Sequence, residues 1–364
     1  MDWMRITGAG DMSDFTHMSA KESTLFMRAA RGEPTPGAPI WLMRQAGRCD
    51  PAYRALREET PLALEALFSH PELAARISLL PGRWGVDAII LFQDILSPLA
   101  GMGAPFVFRP GPVPKTPLAD ADAFKALHAC ELAETMPFIR EAMGLIRAAI
   151  GDAMPLLGFA GAPLTLLAFL AEGGSPPPEL PRTRALIAED PDTAAHVLDL
   201  LTTMTIAYLR YQRDCGADAV QLFESAAQYF SADEYQRLAL PFQQRIFNAL
   251  RGEMPTIFFA RLTDAHLPVE LLADAGADIL SLPATLSIAE ARARLGDALR
   301  VQGNLDNRLL AQGDHKAIAH AAKACLDQGE CRGHIFNLSH GLLADTPFEN
   351  VRFLVDYVKA WPGN

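Results

Sequence analysis

The sequence predicts an α/β protein: a single (β/α)8 TIM barrel over residues 23–364, preceded by a loose N-terminal arm over residues 1–22. Three observations carry this. Eight short apolar runs of strand length recur, at 39–43, 88–93, 155–159, 219–223, 256–260, 279–282, 300–303 and 334–338. Longer amphipathic stretches of helical period separate them, as a parallel sheet covered by helices requires. Eight such units with no break in rhythm fit one closed ring better than two open sheets in 364 residues.

The elements follow in order. Met1 to Ser19 has weak periodicity. Ser23 to Ala30 reads as a short helix, and the turn-rich stretch Gly32 to Gly37 leads into the first run. Ser69-His70-Pro71-Glu72 has the pattern of an N-cap with proline in the first turn, ahead of a helix to Leu79. Pro155 to Ala171 is the longest uncharged apolar run. It is short for a membrane span and is punctuated by Pro155, Gly158, Gly161 and Pro163, so it reads as strand, turn and helix start. The proline-rich loop 172–182 is expected to be non-helical and sits where it would cover an opening. Thr193–Asp214 and Ala232–Arg251 read as two amphipathic helices. Gly-Ala-Asp at 216–218 and again at 276–278 ends a helix, with glycine as its cap, and opens a strand.

Composition narrows the function. Half of the residues are hydrophobic and 21% are charged, which excludes a disordered chain, a collagen-like fibre and a coiled coil. Forty-three acidic residues against 32 basic ones leave a net charge of −11, without the basic footprint that nucleic acid demands. An anion would need a locally basic pocket. Five cysteines at 49, 130, 215, 325 and 331 are odd in number and scattered. A disulfide framework or zinc ribbon does not fit, whereas a reducing cytoplasm does. No signal peptide and no membrane segment is expected.

In a barrel the chemistry gathers at the C-terminal ends of the strands. Those ends read Met43-Arg44-Gln45-Ala46-Gly47-Arg48, Gln93-Asp94, Gly158 to Pro163, Glu224-Ser225, Gly303 to Asp306, and Asn337-Leu338-Ser339-His340-Gly341. Arginines four apart, with forked guanidinium groups, suit carboxylates or phosphates. Asp94 near the axis is an acceptor for N–H donors, and no second carboxylate stands out as its partner. No nucleotide-binding, zinc-protease or nucleophile-elbow motif occurs, and the nine histidines make no metal-ligand spacing. Each candidate also has a structural reading. Arg44 and Arg48 suit surface ion pairs, Asp94 a helix cap, Ser225 a turn, His340 a satisfied turn histidine and Phe169 core packing. Cys49 near a basic site is either a low-pKa thiol or a plain small residue.

Two long segments resemble signatures of the uroporphyrinogen decarboxylase family. The first runs Pro39-Ile-Trp41-Leu-Met43-Arg44-Gln45-Ala46-Gly47-Arg48, continuing to Pro51, Tyr53 and Arg54. The second runs Gly158-Phe159-Ala160-Gly161-Ala162-Pro163-Leu164-Thr165-Leu166. LFQDIL (91–96), QLFES (221–225), QGNLD (302–306) and FNLSHG (336–341) follow in the family's order, so the resemblance spans about residues 22 to 360. It implies a (β/α)8 barrel, usually a homodimer, with no metal or organic cofactor. The implied reaction removes carbon dioxide from the four acetates of uroporphyrinogen III, giving coproporphyrinogen III. In it Asp94 accepts the pyrrole N–H groups and stabilises positive charge on the ring. Arg44 and Arg48 clamp carboxylates, the turn residues Gln45, Ala46 and Gly47 between them also bind substrate, and Arg44 is a candidate proton donor. Ser225 and His340 bind substrate carboxylates, and Phe169 lines the same pocket.

This chain departs from the family in four places. Phe169 stands where a tyrosine is usual, Cys49 where a tyrosine follows the arginine motif, and Leu164 where a tryptophan is usual. Ser281-Leu282-Pro283-Ala284 replaces a G-L-D-W stretch. Two competing functions share the same pattern. One is a corrinoid-linked methyltransferase, whose zinc ligands are absent from Phe259-Ala260-Arg261-Leu262-Thr263. The other is a non-catalytic tetrapyrrole binder.

Overall fold

The computed structural model describes residues 25–47, 49–118, 120–262 and 266–363. The arm expected over residues 1–22 and the start of the first helix lie outside them. The strands are β1 (Ile89–Ile90), the antiparallel pair β2 (Phe106–Phe108) and β3 (Pro112–Pro114), β4 (Leu156–Gly161), β5 (Ala219–Glu224), β6 (Thr256–Ala260), β7 (Ile279–Ser281), β8 (Val301–Gln302) and β9 (His334–Ile335). Seven of them form one parallel sheet in the order β1-β4-β5-β6-β7-β8-β9.

The first apolar run, 39–43, fills the eighth place, by unusual means. Ile40 bridges Phe336 in parallel, Phe336 N donates to Pro39 O at 2.7 Å, and Asp87 N donates to Ile40 O at 2.7 Å. The run is therefore bonded on both sides and joins β9 to β1, closing the ring. It is not a regular strand: Trp41 N donates to Phe336 O, but side chains take the backbone donors on either side of it. Asp87 Oδ2 accepts from Ile40 N, Gln45 Oε1 from Leu42 N and Asn337 Oδ1 from Met43 N.

Strand alternation sorts the apolar residues into two layers. Trp41, Met43, Ile90, Leu157, Phe159, Ile257, Phe259, Ile279 and Ile335 form the barrel interior. Their neighbours Leu42, Ile89, Leu156, Leu222, Phe258, Leu280 and Phe336 face the surrounding helices. The helix Leu25–Ala30 adds Phe26, Ala29 and Ala30 to the inner layer. Arg300, just before β8, donates to Ala30 O at 2.9 Å, so this helix stops the N-terminal end of the barrel. A polar layer crosses the interior: Trp41 Nε1 donates to Gln302 Oε1 at 2.9 Å, and Gln302 Nε2 to Gln221 Oε1 at 3.0 Å. Buried amides are tolerated there because they satisfy one another.

Several boundaries differ from the sequence reading. Ser69 does not cap the helix Pro71–Leu79; its hydroxyl donates to Glu65 O, ending the helix Leu64–Phe68, and His70 takes the N-cap position. The segment 232–251 is two helices, Ala232–Leu238 and Leu240–Leu250, because Pro241 has no N–H to continue the first. The proline-rich loop is irregular only between its flanking helices, Pro163–Glu172 and Pro181–Glu189. Proline at the first turn starts a helix as readily as it interrupts one. Both Gly-Ala-Asp turns behave as expected, with Gly216 at φ 109° and Gly276 at φ 88°.

Candidate active site

Aromatic rings floor the C-terminal mouth of the barrel. Phe159 of β4 meets Phe223 of β5 edge-on with centroids 5.7 Å apart, Phe223 meets Phe259 of β6 at 5.5 Å, and Phe259 meets His340 at 5.6 Å. Three strands thus give a row of tilted aromatic rings that ends at an imidazole. Such a row suits a broad ligand.

Arg44 leaves the end of the first run in the left-handed region, at φ 61°. A residue with a side chain pays about 1 kcal/mol for that conformation, which clusters at functional sites. The turn is pinned from below by Gln45. That residue is wholly buried and donates from Nε2 to Ala88 O at 2.9 Å while its Oε1 accepts from Leu42 N. The Gln45 side chain, expected to touch substrate, is therefore engaged inside the wall and leaves only the backbone of its turn to the site. Ala46 and Gly47 are half-buried in the same turn. The Arg44 stem crosses Gly341 so closely that a Cβ there would meet Arg44 Cδ at 2.5 Å. Glycine beside His340 is what lets the loop after β9 pass so close to the Arg44 side chain. Arg48 lies outside the described residues.

Asp94 follows β1. Its Oδ1 accepts from Leu96 N at 2.8 Å, as a turn-capping aspartate does. Burial pushes its carboxyl up to about 6, against the opposing pull of that N–H and of Arg44's charge. His340 Nδ1 accepts from Gly341 N at 2.8 Å, which leaves its proton on Nε2 when the ring is neutral. Burial, then the positive charges of Arg44 and Arg261, push this imidazole down to about 4. It is a neutral N–H donor at pH 7. Arg44 acts on both Asp94 and His340, so the three form one constellation. Ser225 is half-buried one residue past β5, and Phe169 is half-buried on the helix Pro163–Glu172, packed against the outer core. Cys49 is a buried small residue, its thiol pushed up to about 11 by burial.

Two groups escaped the sequence reading. Glu224, the last residue of β5, is fully buried, and burial pushes it up to about 7. Thr165 donates to Glu224 Oε1 and accepts from Ala226 N at 3.0 Å, while Gln243 donates to Glu224 Oε2 at 3.2 Å. Alternation would have found it: if Phe223 and Ser225 face inward, Glu224 faces the helices. Arg261, one residue past β6, is half-buried. Among the described residues no group of three His, Cys, Asp or Glu side chains is placed to hold a metal ion. No helix among them is long and apolar enough to cross a membrane.

The model of the family described as "Uroporphyrinogen decarboxylase (URO-D)" matches residues 21–361. A curated protein named uroporphyrinogen decarboxylase from Syntrophotalea carbinolica is 41% identical over 337 residues, 92% of this chain and 96% of that one. One of the same name from Thermus thermophilus is 40% identical over 339 residues, 92% of this chain and 97% of its own length. Among solved structures, a methyltransferase from Methanosarcina mazei superposes with a TM-score of 0.78 at 21% identity, covering 93% of this chain and 98% of that one. At that identity the likeness carries the barrel fold and no activity.

Proposed function

The chain belongs to the uroporphyrinogen decarboxylase family, and we propose that Asp94 is the group around which its reaction is organised. The protein is a carboxy-lyase of tetrapyrrole synthesis: it converts the four acetates of uroporphyrinogen III to methyl groups, yielding coproporphyrinogen III. Each acetate takes up one proton and releases one carbon dioxide.

The observation that carries the assignment of Asp94 is a half-buried carboxylate just past the end of β1, raised by burial and within reach of the Arg44 charge. The macrocycle is unconjugated, so its pyrrole N–H groups can dome toward one acceptor. Asp94, ionised at pH 7, accepts them. Protonation of the ring carbon beside an acetate places positive charge on that pyrrole, and the same carboxylate stabilises it. The C–CO2 bond then breaks and its electron pair returns to the ring, leaving an exocyclic methylene. A proton adds to that methylene to make the methyl group, and the ring carbon gives up the proton it had gained, a net uptake of one. A fixed charge in a partly dry site does this work because it need not reorganise during the reaction. This supports a decarboxylation that needs no metal or organic cofactor.

Arg44 holds a substrate carboxylate, supports the ionised form of Asp94, and is the candidate for proton delivery. Arg48 is a second clamp. The backbone of the Gln45–Gly47 turn, Ser225, Phe169 and the Nε2–H of His340 complete the contacts. We further place residues 23–364 in one barrel domain behind the arm 1–22, and the protein in the cytoplasm as a homodimer. Five cysteines, all free, fit the first of these surroundings, and light scattering tests the second.

Anaerobic turnover of uroporphyrinogen III with product analysis is the deciding experiment. Coproporphyrinogen III is the expected product; tight binding without turnover would instead identify a non-catalytic tetrapyrrole binder. Stoichiometric zinc in the purified protein would favour a methyltransferase. Asp94→Ala should lose most activity while folding normally, and unchanged turnover would remove Asp94 from the mechanism.

A further inference from the structure

The geometry assigns a carboxylate-binding subsite to Arg261 and Ser225, taking one acid side chain of the macrocycle. This rests on the decarboxylase reading above and adds a cation that reading does not use.

The backbone places both residues. β5 and β6 pair in parallel with Phe223 beside Phe259 and Glu224 beside Ala260. Arg261 N donates to Glu224 O at 3.0 Å, the last bond of this ladder, which fixes the Arg261 backbone beside the start of the turn at Ser225. Alternation then puts Ser225 on the face of Phe223 and Arg261 on the face of Phe259, the inward face in each case. The two are lateral neighbours on strands roughly 4.8 Å apart, a span that one carboxylate bridges between a hydroxyl and a guanidinium. The direction of Arg261 has independent support. Phe259's ring lies against His340, and Arg261's positive charge, with that of Arg44, bears on the same imidazole. The guanidinium is therefore near enough to His340 for its charge to act on that ring.

Charge supplies the reason. The substrate carries eight carboxylates into a chain of net charge −11. Arg44 rises from the turn after the first run and Arg261 from the end of β6, so two cations from different walls flank the His340 imidazole. Arg261 and Ser225 are each half-buried, so a charge-assisted hydrogen bond there is less screened than at an open surface.

The test uses steady-state kinetics on anaerobic uroporphyrinogen III, at several ionic strengths, with Arg261→Gln, Arg261→Lys, Ser225→Ala and the Arg261→Gln/Ser225→Ala double variant. Arg261→Gln should raise KM roughly 10- to 100-fold and leave kcat within about threefold, the loss of one charge-assisted bond made in ground and transition states alike. Its kcat/KM should depend less on salt than that of the wild type. Arg261→Lys should recover part of the KM, and the double variant should lose less than the product of the singles. An unchanged KM in Arg261→Gln, or a fall in kcat with the salt dependence intact, overturns the subsite. Should Arg261→Gln fail to fold, Arg261→Lys decides by the same KM-against-kcat split. A wild type that never turns the substrate over sinks the decarboxylase reading itself; a wild type that does, beside an indifferent Arg261→Gln, sinks only the subsite.

Discussion

Exchanging Asp94 for asparagine should make the protein more stable and nearly inactive, and the pH should show why. Burial pushes the Asp94 carboxyl up to about 6. An ordinary aspartate titrates near ~3.9, so the folded chain binds this proton about two pH units too tightly, at roughly 1.4 kcal/mol per unit. Between those values the native state holds more protons than the unfolded one, so stability falls as pH rises from about 4 to 6. Above that window the whole cost, at most about 3 kcal/mol, is present. Asp94 is not wholly enclosed, and screening reduces the figure to about 1.5–3 kcal/mol. Asparagine keeps the shape and the acceptor for Leu96 N but carries no charge. At pH 7 Asp94→Asn should therefore melt about 2–4 °C higher than the wild type. At pH 4, where the wild type is itself largely protonated, the gain should vanish. Turnover should fall by about 10²–10³-fold, the usual loss when a preorganised charge is removed. Calorimetric melts at both pH values, with anaerobic product analysis, check both halves. The same melting difference at pH 4 and pH 7, or full activity in Asp94→Asn, would refute the argument.

Three further outcomes are expected. Phe169→Tyr should keep or raise turnover, because it restores a hydroxyl usual in the family at a half-buried position; a collapse in kcat would mean the pocket is built differently. Glu224→Ala should destabilise by about 2–4 kcal/mol in urea unfolding, since Thr165 and Gln243 lose a buried acceptor, and Glu224→Gln should cost less. His340 should titrate near 4 by NMR with its proton on Nε2. Arg44→Gln should raise that midpoint by removing one of the charges that lower it, and an ordinary midpoint near ~6.5 would contradict the placement.

The strands were legible because each is a short apolar run between helical stretches, and all eight runs take their places in the ring. How the ring closes was not legible. The side-chain acceptors for the donors of 39–43 come from Asp87, Gln45 and Asn337, two of them far away in sequence. In the site, Arg44, Asp94 and His340 sit at strand ends and could be read there. Gln45 could not, because composition does not say whether an amide in a turn faces the cavity or the wall. Glu224 and Ser225 are adjacent but lie on opposite faces of β5, and only the inward neighbour resembled a site residue. Arg261 was weighed only for the zinc ligands missing around it. Its meaning needs the register of β5 with β6.

The ring's seam has a consequence for how the protein comes into being. Thr35 donates to Cys331 O across 296 residues, and Ile40 meets Phe336. A ribosome delivers the stopper helix and the first wall segment at the start of synthesis and their partners only near its end. Until residue 336 emerges, the inner layer around Phe26 and Trp41 stays open at the β9 seam, and an oily, half-rolled sheet waits in the cell. Nascent chains halted before the final strand should therefore engage holding chaperones, and those released after it should not.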